Sequence, residues 1–395
     1  MNMRLATGNF AAGHSMSLAG EANRSARGVV CGIYPITPQT EIVEYVARFP
    51  FSKGRVIPVE SEHSAMGVCI GAALNGARAF TASSSNGLAY MAENVMVAAF
   101  YRLPIVMAAV NRTLGPPWNI WADQGDTLMF RDFAWVQLYC DSNQDVADTT
   151  LLAFRLAEDP RILLPVMVCM DAFIVSHTSM EIELATQEQV DRFLPPCDVP
   201  QRLDSAHPVT IGGMAFPQDT LSQRLDLDEA LRRVPGALEE HRAQFREIFG
   251  REVSGAVESH HCEDADRILI ASGTVASTLR SVVEEWRLRG ERVGMIRIKM
   301  FRPFPREEVR ALCSGSKKVG VLDRNYGADV GGIFCHEVRA ALQGQAGVGE
   351  RAPLVQSYLT GVGGGDVVPD TVQEVLEELS RRSAAGDPVW KGIET

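Results

Sequence analysis

Short, continuous apolar runs alternate along this chain with segments whose apolar residues return at helical spacing. Residues 78–83 (RAFTAS) read as a strand, and 86–100 carry Leu88, Met91, Ala92, Val95 and Met96 at the spacing of a helix. Residues 103–110 (LPIVMAAV) and 162–169 (ILLPVMVC) read as buried strands. Runs that are apolar throughout, rather than alternating, suit strands covered on both faces, as in a parallel sheet flanked by helices. The second half repeats the theme. Residues 267–271, 293–298 and 319–323 read as strands, with helices at 275–289, 306–313 and 331–342. Between the halves, 195–257 is rich in proline and charge, and Leu238, Phe245, Ile248 and Phe249 mark one amphipathic helix. The polar end, 381–395, is expected to be loosely held.

The length of 395 residues fits more than one domain, and 46% hydrophobic with 22% charged residues is ordinary for a globular protein. A net charge of -11, spread along the chain, argues against nucleic acid or an anionic membrane as the main partner. No apolar run reaches the roughly 18 residues of a membrane span, and the start of the chain does not read as a signal peptide, so a cytoplasmic location is expected. The eight cysteines form no CxxC unit, which makes a zinc ribbon or a cluster-binding motif an unlikely reading, and no metal ligands are assigned. Cys69, Cys169 and Cys335 lie in apolar stretches and read as buried free thiols.

Three stretches offer chemistry. In Tyr34 to Thr40 (YPITPQT) two prolines forbid a helix, and Thr37 sits between them on a stiff loop. The same spacing also suits a plain strand-to-helix turn. In 59–67 (VESEHSAMG) Ser61 is a candidate N-cap, which puts Glu62 in the first turn of a helix, where the helix dipole favours a carboxylate. An acidic first-turn residue needs no other purpose. His63 reads as a structural or interface histidine. In 111–126 (NRTLGPPWNIWADQGD) Arg112 follows a strand directly, where open α/β sheets bind ligands, and its guanidinium matches a carboxylate. Trp118 and Trp121 suggest an ordered covering loop; a plain surface arginine is the alternative. Gly327 to Gly332 and Gly361 to Asp366 do not match a dinucleotide-binding GxGxxG, and neither a Walker pattern nor the GDG with a following Asn of diphosphate sites occurs.

The order of these motifs is more specific than any one of them. YPITP, SEHSAMGVCIGAALNGARAFTASSSNGLAYMAE, LPIVMAAVNR, NIW, RDFAWVQ, LLPVMV with DAFIVSHT, HPVTIGG, FRPFP and LDRN together resemble the alpha-type chain of 2-oxoacid:ferredoxin oxidoreductases, most like the pyruvate enzymes, over nearly the whole length. That resemblance implies an α/β chain: a doubly wound, pyrimidine-side thiamine-diphosphate-binding domain (1–240), a connection (241–262) and a transketolase C-terminal-like α/β domain (263–385). It implies that thiamine diphosphate is shared with a beta-type subunit, that Mg and iron–sulfur clusters lie on partner subunits, and that gamma- and delta-type subunits complete the complex. Coenzyme A and ferredoxin would take the acyl group and the electrons from the decarboxylated 2-oxoacid.

Carried over residue by residue, Glu62 matches the glutamate that hydrogen-bonds the pyrimidine ring nitrogen of the cofactor. Thr37 matches a 2-oxoacid contact and Arg112 the arginine that pairs with the substrate carboxylate. Tyr34 and Asn143 would line or support the site. The loop at Ala122–Asp126 departs from many pyruvate-type relatives by an added glycine position. Pyruvate remains the expected substrate, with branched-chain 2-oxoacids or oxalate as alternatives. Thr37 in place of a second arginine counts against oxalate, whose second charge would lack a partner. Two other classes compete. A nucleotide-dependent dehydrogenase lacks its glycine fingerprint here, and a non-catalytic scaffold would not need Thr37, Glu62 and Arg112 intact.

Overall fold

The computed structural model describes residues 3–197, 199, 202–343 and 352–392. Its larger sheet has seven strands in the order Met300–Arg302, Val136–Cys140, Val166–Asp171, Ile105–Asn111, Arg78–Ser83, Val29–Ile33 and Gly54–Pro58. All neighbours run parallel except Met300–Arg302, which is antiparallel to Val136–Cys140. Arg78–Ser83, Ile105–Asn111, Val136–Cys140 and Val166–Asp171 are buried at every position, which is why their sequences show no alternation. Helices Gly8–Ala22 and Asn143–Ala157 pack against each other on one face of this sheet, and Glu62–Leu74 and Ala92–Phe100 on the other.

The second sheet has six strands in the order Val389–Trp390, Leu354–Leu359, Lys318–Asp323, Arg267–Ala271, Val293–Ile298 and Val257–His260. Only the edge strand Val257–His260 is antiparallel to its neighbour. Immediately after Val293–Ile298 the chain crosses over and lends Met300–Arg302 to the first sheet. At that crossing Arg297 and Lys299, each 1% exposed, meet Asp145 at the start of Asn143–Ala157. Arg297 also reaches Asp141 at 3.1 Å and Glu258 at 3.0 Å. Burial of these cations is tolerable only because carboxylates face them, and they hold the Asp145 carboxyl well below the usual range despite its burial.

The amphipathic helix expected within 195–257 is one long helix, Pro217–Phe249, which buries Leu227, Ala230, Val234, Ala237, Leu238, Phe245 and Phe249 against the first sheet's core. It stops at Gly250, whose left-handed φ of 71° closes the helix. Three local readings change. The strand expected at 162–169 begins only at Val166: it lies between two parallel neighbours, where Pro165 has no N–H to give. The helix expected at 86–100 is two, Ser85–Tyr90 and Ala92–Phe100, which keep Leu88, Met91 and Val95 on one buried face across the break. The polar tail is not loose over its described part. Val389–Trp390 pairs with Leu354–Leu359, the Trp390 ring packs on Tyr326 at 5.0 Å, and Gln356 Nε2 donates to the Asp387 carbonyl at 2.9 Å.

Candidate functional site

Every parallel strand of the larger sheet points its carboxyl end to the same edge, and the sequence candidates leave from those ends. Tyr34 follows Val29–Ile33, Glu62 begins the helix after Gly54–Pro58, Ser84 and Ser85 follow Arg78–Ser83, and Arg112 follows Ile105–Asn111. Successive strands are laid down on opposite sides of Val29–Ile33, first Gly54–Pro58 and then Arg78–Ser83. That reversal opens the crevice in which such sheets bind ligands.

Glu62 is the first residue of helix Glu62–Leu74, and Ser61 caps it by accepting a hydrogen bond from the Ser64 N–H at 3.2 Å. The side chain is buried, 7% exposed, yet no described residue donates a hydrogen bond to its carboxylate. Beside it the buried Ser83 hydroxyl has no partner either. A Cβ at Gly87 would fall 2.6 Å from Glu62 Oε1 and 2.7 Å from Ser83 Oγ. The space is therefore open because residue 87 is glycine, and an acceptor and a hydroxyl that want partners line it.

Arg112 and Thr37 are brought into direct contact. Arg112 Nη1 donates to the Thr37 carbonyl at 2.7 Å and Nε to the Asn119 carbonyl at 3.0 Å. Of its five N–H donors these two bonds use two, leaving donors on both terminal nitrogens for a carboxylate. Partial burial lowers its pKa from the ordinary value. Thr37 is exposed and meets Arg112 through its carbonyl rather than its hydroxyl. Its loop is tied down by Asn9, which donates to the Pro38 carbonyl at 2.7 Å, and by Gln39, which donates to the Tyr34 carbonyl at 2.9 Å. Asn143 is set apart from this cluster. Its amide spans the carbonyls of Ala6 and Thr178, so it braces the chain rather than lining the crevice.

Asp126 joins the two parts of the site. It accepts from the Arg112 N–H and the Ser85 N–H, each at 2.9 Å, and from Asn111 Nδ2 at 2.8 Å. Burial pushes its carboxyl up to about 7, with those donors pulling the other way. Helix Ser85–Tyr90, which carries Gly87, is thereby fastened to the loop that carries Arg112. Asn86 adds a second fastening by accepting from the Gly115 N–H at 3.0 Å. Sequence reading passed over Asp126, Asn86 and Gly87. The serine run before Gly87, leaving a fully buried strand, was the available signal.

The second half closes over this loop. Asn119 Nδ2 donates to the Gly363 carbonyl at 2.7 Å, Asp123 accepts from the Gly363 N–H at 3.0 Å, and the Gln124 N–H donates to the Arg324 carbonyl at 3.0 Å. Gly364 lies so close to Trp121 that a Cβ would sit 2.0 Å from the Trp121 Cβ. The expected covering loop is thus ordered by the other half of the chain, while Trp118 and Trp121 keep 73% and 52% of their surface exposed.

Comparison with known proteins agrees with this arrangement. Residues 21–243 match the family described as pyruvate flavodoxin/ferredoxin oxidoreductase, thiamine diphosphate-binding, and residues 265–372 match pyruvate:ferredoxin oxidoreductase core domain II. The pyruvate synthase subunit PorA of Methanothermobacter thermautotrophicus is 42% identical over 378 residues, covering 94% of this chain and 95% of that one. The ketoisovalerate oxidoreductase subunit VorA of Pyrococcus abyssi is 39% identical over 388 residues, covering 97% and 95%. Among solved structures, the 2-oxoglutarate:ferredoxin oxidoreductase of Magnetococcus marinus shares the fold, with a TM-score of 0.73 at 20% identity over 95% of this chain and 65% of that one. With both family segments matched in order and the relatives covered almost end to end, the chain belongs to the pyruvate:ferredoxin oxidoreductase family as an alpha-type subunit.

Proposed function

We propose that this chain supplies the pyrimidine-side half of a shared thiamine-diphosphate site in a complex that oxidatively and reversibly decarboxylates pyruvate to acetyl-coenzyme A. The observation that carries the reading is the buried Glu62 carboxylate, without a protein donor, facing the space that Gly87 leaves open beside Ser83. An aminopyrimidine, planar and rich in N–H and ring nitrogen, suits that lining. When bound, the cofactor supplies the nucleophilic carbon and the electron sink that decarboxylation needs. Glu62 would hold a hydrogen-bonded proton against the ring nitrogen. Arg112 would pair its remaining donors with the 2-oxoacid carboxylate, and Thr37 and Tyr34 would line that end. Orientation of this kind contributes several kcal/mol, on the order of the effective-molarity gain of a fixed reactant.

The partition of the chain follows the same reading: 1–240 as the cofactor-binding domain, 241–262 as the connection and 263–385 as the second domain. A beta-type subunit would hold the diphosphate with Mg and an iron–sulfur cluster, and gamma- and delta-type subunits would complete the route to coenzyme A and ferredoxin in the cytoplasm. A second reading, the same chemistry on a branched-chain 2-oxoacid, is favoured by one observation: the ketoisovalerate enzyme's subunit is nearly as similar as the pyruvate one, at 39% against 42% identity. The test is anaerobic purification of the native complex, with its cofactor and iron quantified and its turnover measured on pyruvate and on 2-oxoisovalerate. Higher kcat/KM on pyruvate supports the first reading and the reverse order the second. A complex without thiamine diphosphate, or inactive on every 2-oxoacid, defeats both.

A further inference from the structure

His260 and His261 are neighbours in sequence, and in a regular strand neighbours point to opposite faces. Here they do not. The edge strand Val257–His260 ends at His260, and His261 takes a left-handed φ of 54°, uncommon for a residue other than glycine. The turn brings both imidazoles to one side, with ring centroids 4.2 Å apart and planes at 55°. Opposite them, on helix Thr274–Leu288, stands Glu284. His260 Nε2 hydrogen-bonds the Glu284 carboxylate, and His261 Nε2 lies 3.4 Å from the same oxygen. His261 Nε2 is buried and makes no hydrogen bond.

From this convergence we infer a divalent metal site, suited to zinc, formed by His260, His261 and Glu284 at the outer edge of the second sheet. The three ligand atoms lie within 4.8 Å of one another. In a tetrahedral zinc site with bonds of roughly 2.0–2.2 Å, ligand atoms stand roughly 3.3 Å apart, so small side-chain adjustments suffice. Two imidazoles and a carboxylate are a ligand set zinc accepts, leaving the fourth position to water or another group. The partial exposure of both histidines lets an ion enter. The nearby cations do not oppose it: Arg280 is paired with Glu258 at 2.9 Å and Arg287 with Asp264 at 2.7 Å. A bound ion would replace the proton between His260 and Glu284 and pin the edge strand to the helix. The spacing rules that search for zinc motifs miss this set, because its third ligand comes from 24 residues further along the chain.

The site stands apart from the cofactor crevice and is tested without turnover. The full-length chain is stripped with a chelator, loaded with zinc, passed through gel filtration and analysed for metal. Retention of one zinc per chain is expected. His260→Ala, His261→Ala and Glu284→Gln should each lower zinc affinity by at least about tenfold, without changing the Tm of the metal-free chain. Cobalt loading separates these ligands from the eight cysteines, all of which are buried. The expected spectrum is that of a nitrogen- and oxygen-ligated ion, without a thiolate charge-transfer band. No retained metal, undiminished binding by the three variants, or a thiolate band would overturn the inference.

Discussion

Gly87 leaves room for the Glu62 carboxylate that any other residue would fill, since even a methyl group there would lie 2.6 Å from Oε1. Gly87→Ala opposes two effects. It should gain up to about 1 kcal/mol from helix propensity, yet it closes the space beside Glu62. The expected outcome is weaker thiamine-diphosphate uptake by the assembled complex, with urea stability close to that of the parent. Uptake that is unchanged would mean that the space is not used. Arg112→Lys keeps a positive charge but loses the planar fork. A charged hydrogen bond is worth about 1.5–3 kcal/mol, so KM for the 2-oxoacid should rise by roughly 10- to 100-fold, read from steady-state kinetics. The places of Arg112 just beyond a strand and of Glu62 in the first turn of a helix were both legible in the sequence. That Thr37 meets Arg112 through its carbonyl was not legible, because which group faces a neighbour depends on loop geometry that residue type does not encode.

The strands were the clearest elements in the sequence, and for a physical reason: a parallel sheet covered on both faces demands unbroken apolar runs. Arg78–Ser83, Arg267–Ala271 and Val293–Ile298 follow the sequence reading residue for residue. Met300–Arg302 could not be read the same way, because three residues carry no period and their partner strand lies far back in the chain, Met300 pairing with Leu138. The Arg297–Lys299–Asp145 cluster was likewise invisible, since its members come from different elements. Removing Asp145 would take from buried Lys299 its carboxylate and leave Arg297 with Asp141 and Glu258 alone. Asp145→Ala should therefore destabilise by about 3–5 kcal/mol, the range for breaking a buried ion pair from one side. Urea unfolding measures it, and a loss below about 1 kcal/mol would show that water screens the cluster.

At the scale of the whole molecule, the two halves meet where the second half's 361–365 turn grips the loop bearing Arg112, so folding of one half conditions the site in the other. Burial also gives the molecule a pH signature. Asp323 is pushed up to about 7, although it accepts from Asn325 Nδ2 and the Phe334 and Cys335 N–H groups. An unfolded aspartate loses its proton near pH 4, roughly. As pH rises from there to about 7, the folded chain therefore holds the extra proton. Asp323's contribution to stability is full below the unfolded value and is lost as pH rises through the folded one. Asp323→Asn should remove that slope, so the difference in urea stability between variant and parent should change between about pH 4 and pH 7; a difference independent of pH would contradict the assignment. The central claim, that Glu62 works on a cofactor shared between chains, is tested most directly by the rate at which the thiazolium carbon of bound thiamine diphosphate exchanges its proton in the assembled complex. With Glu62→Gln that rate should fall by at least about 100-fold, the lower end of what a positioned acid–base group contributes, while the complex still assembles. Exchange as fast as in the parent complex would contradict the account.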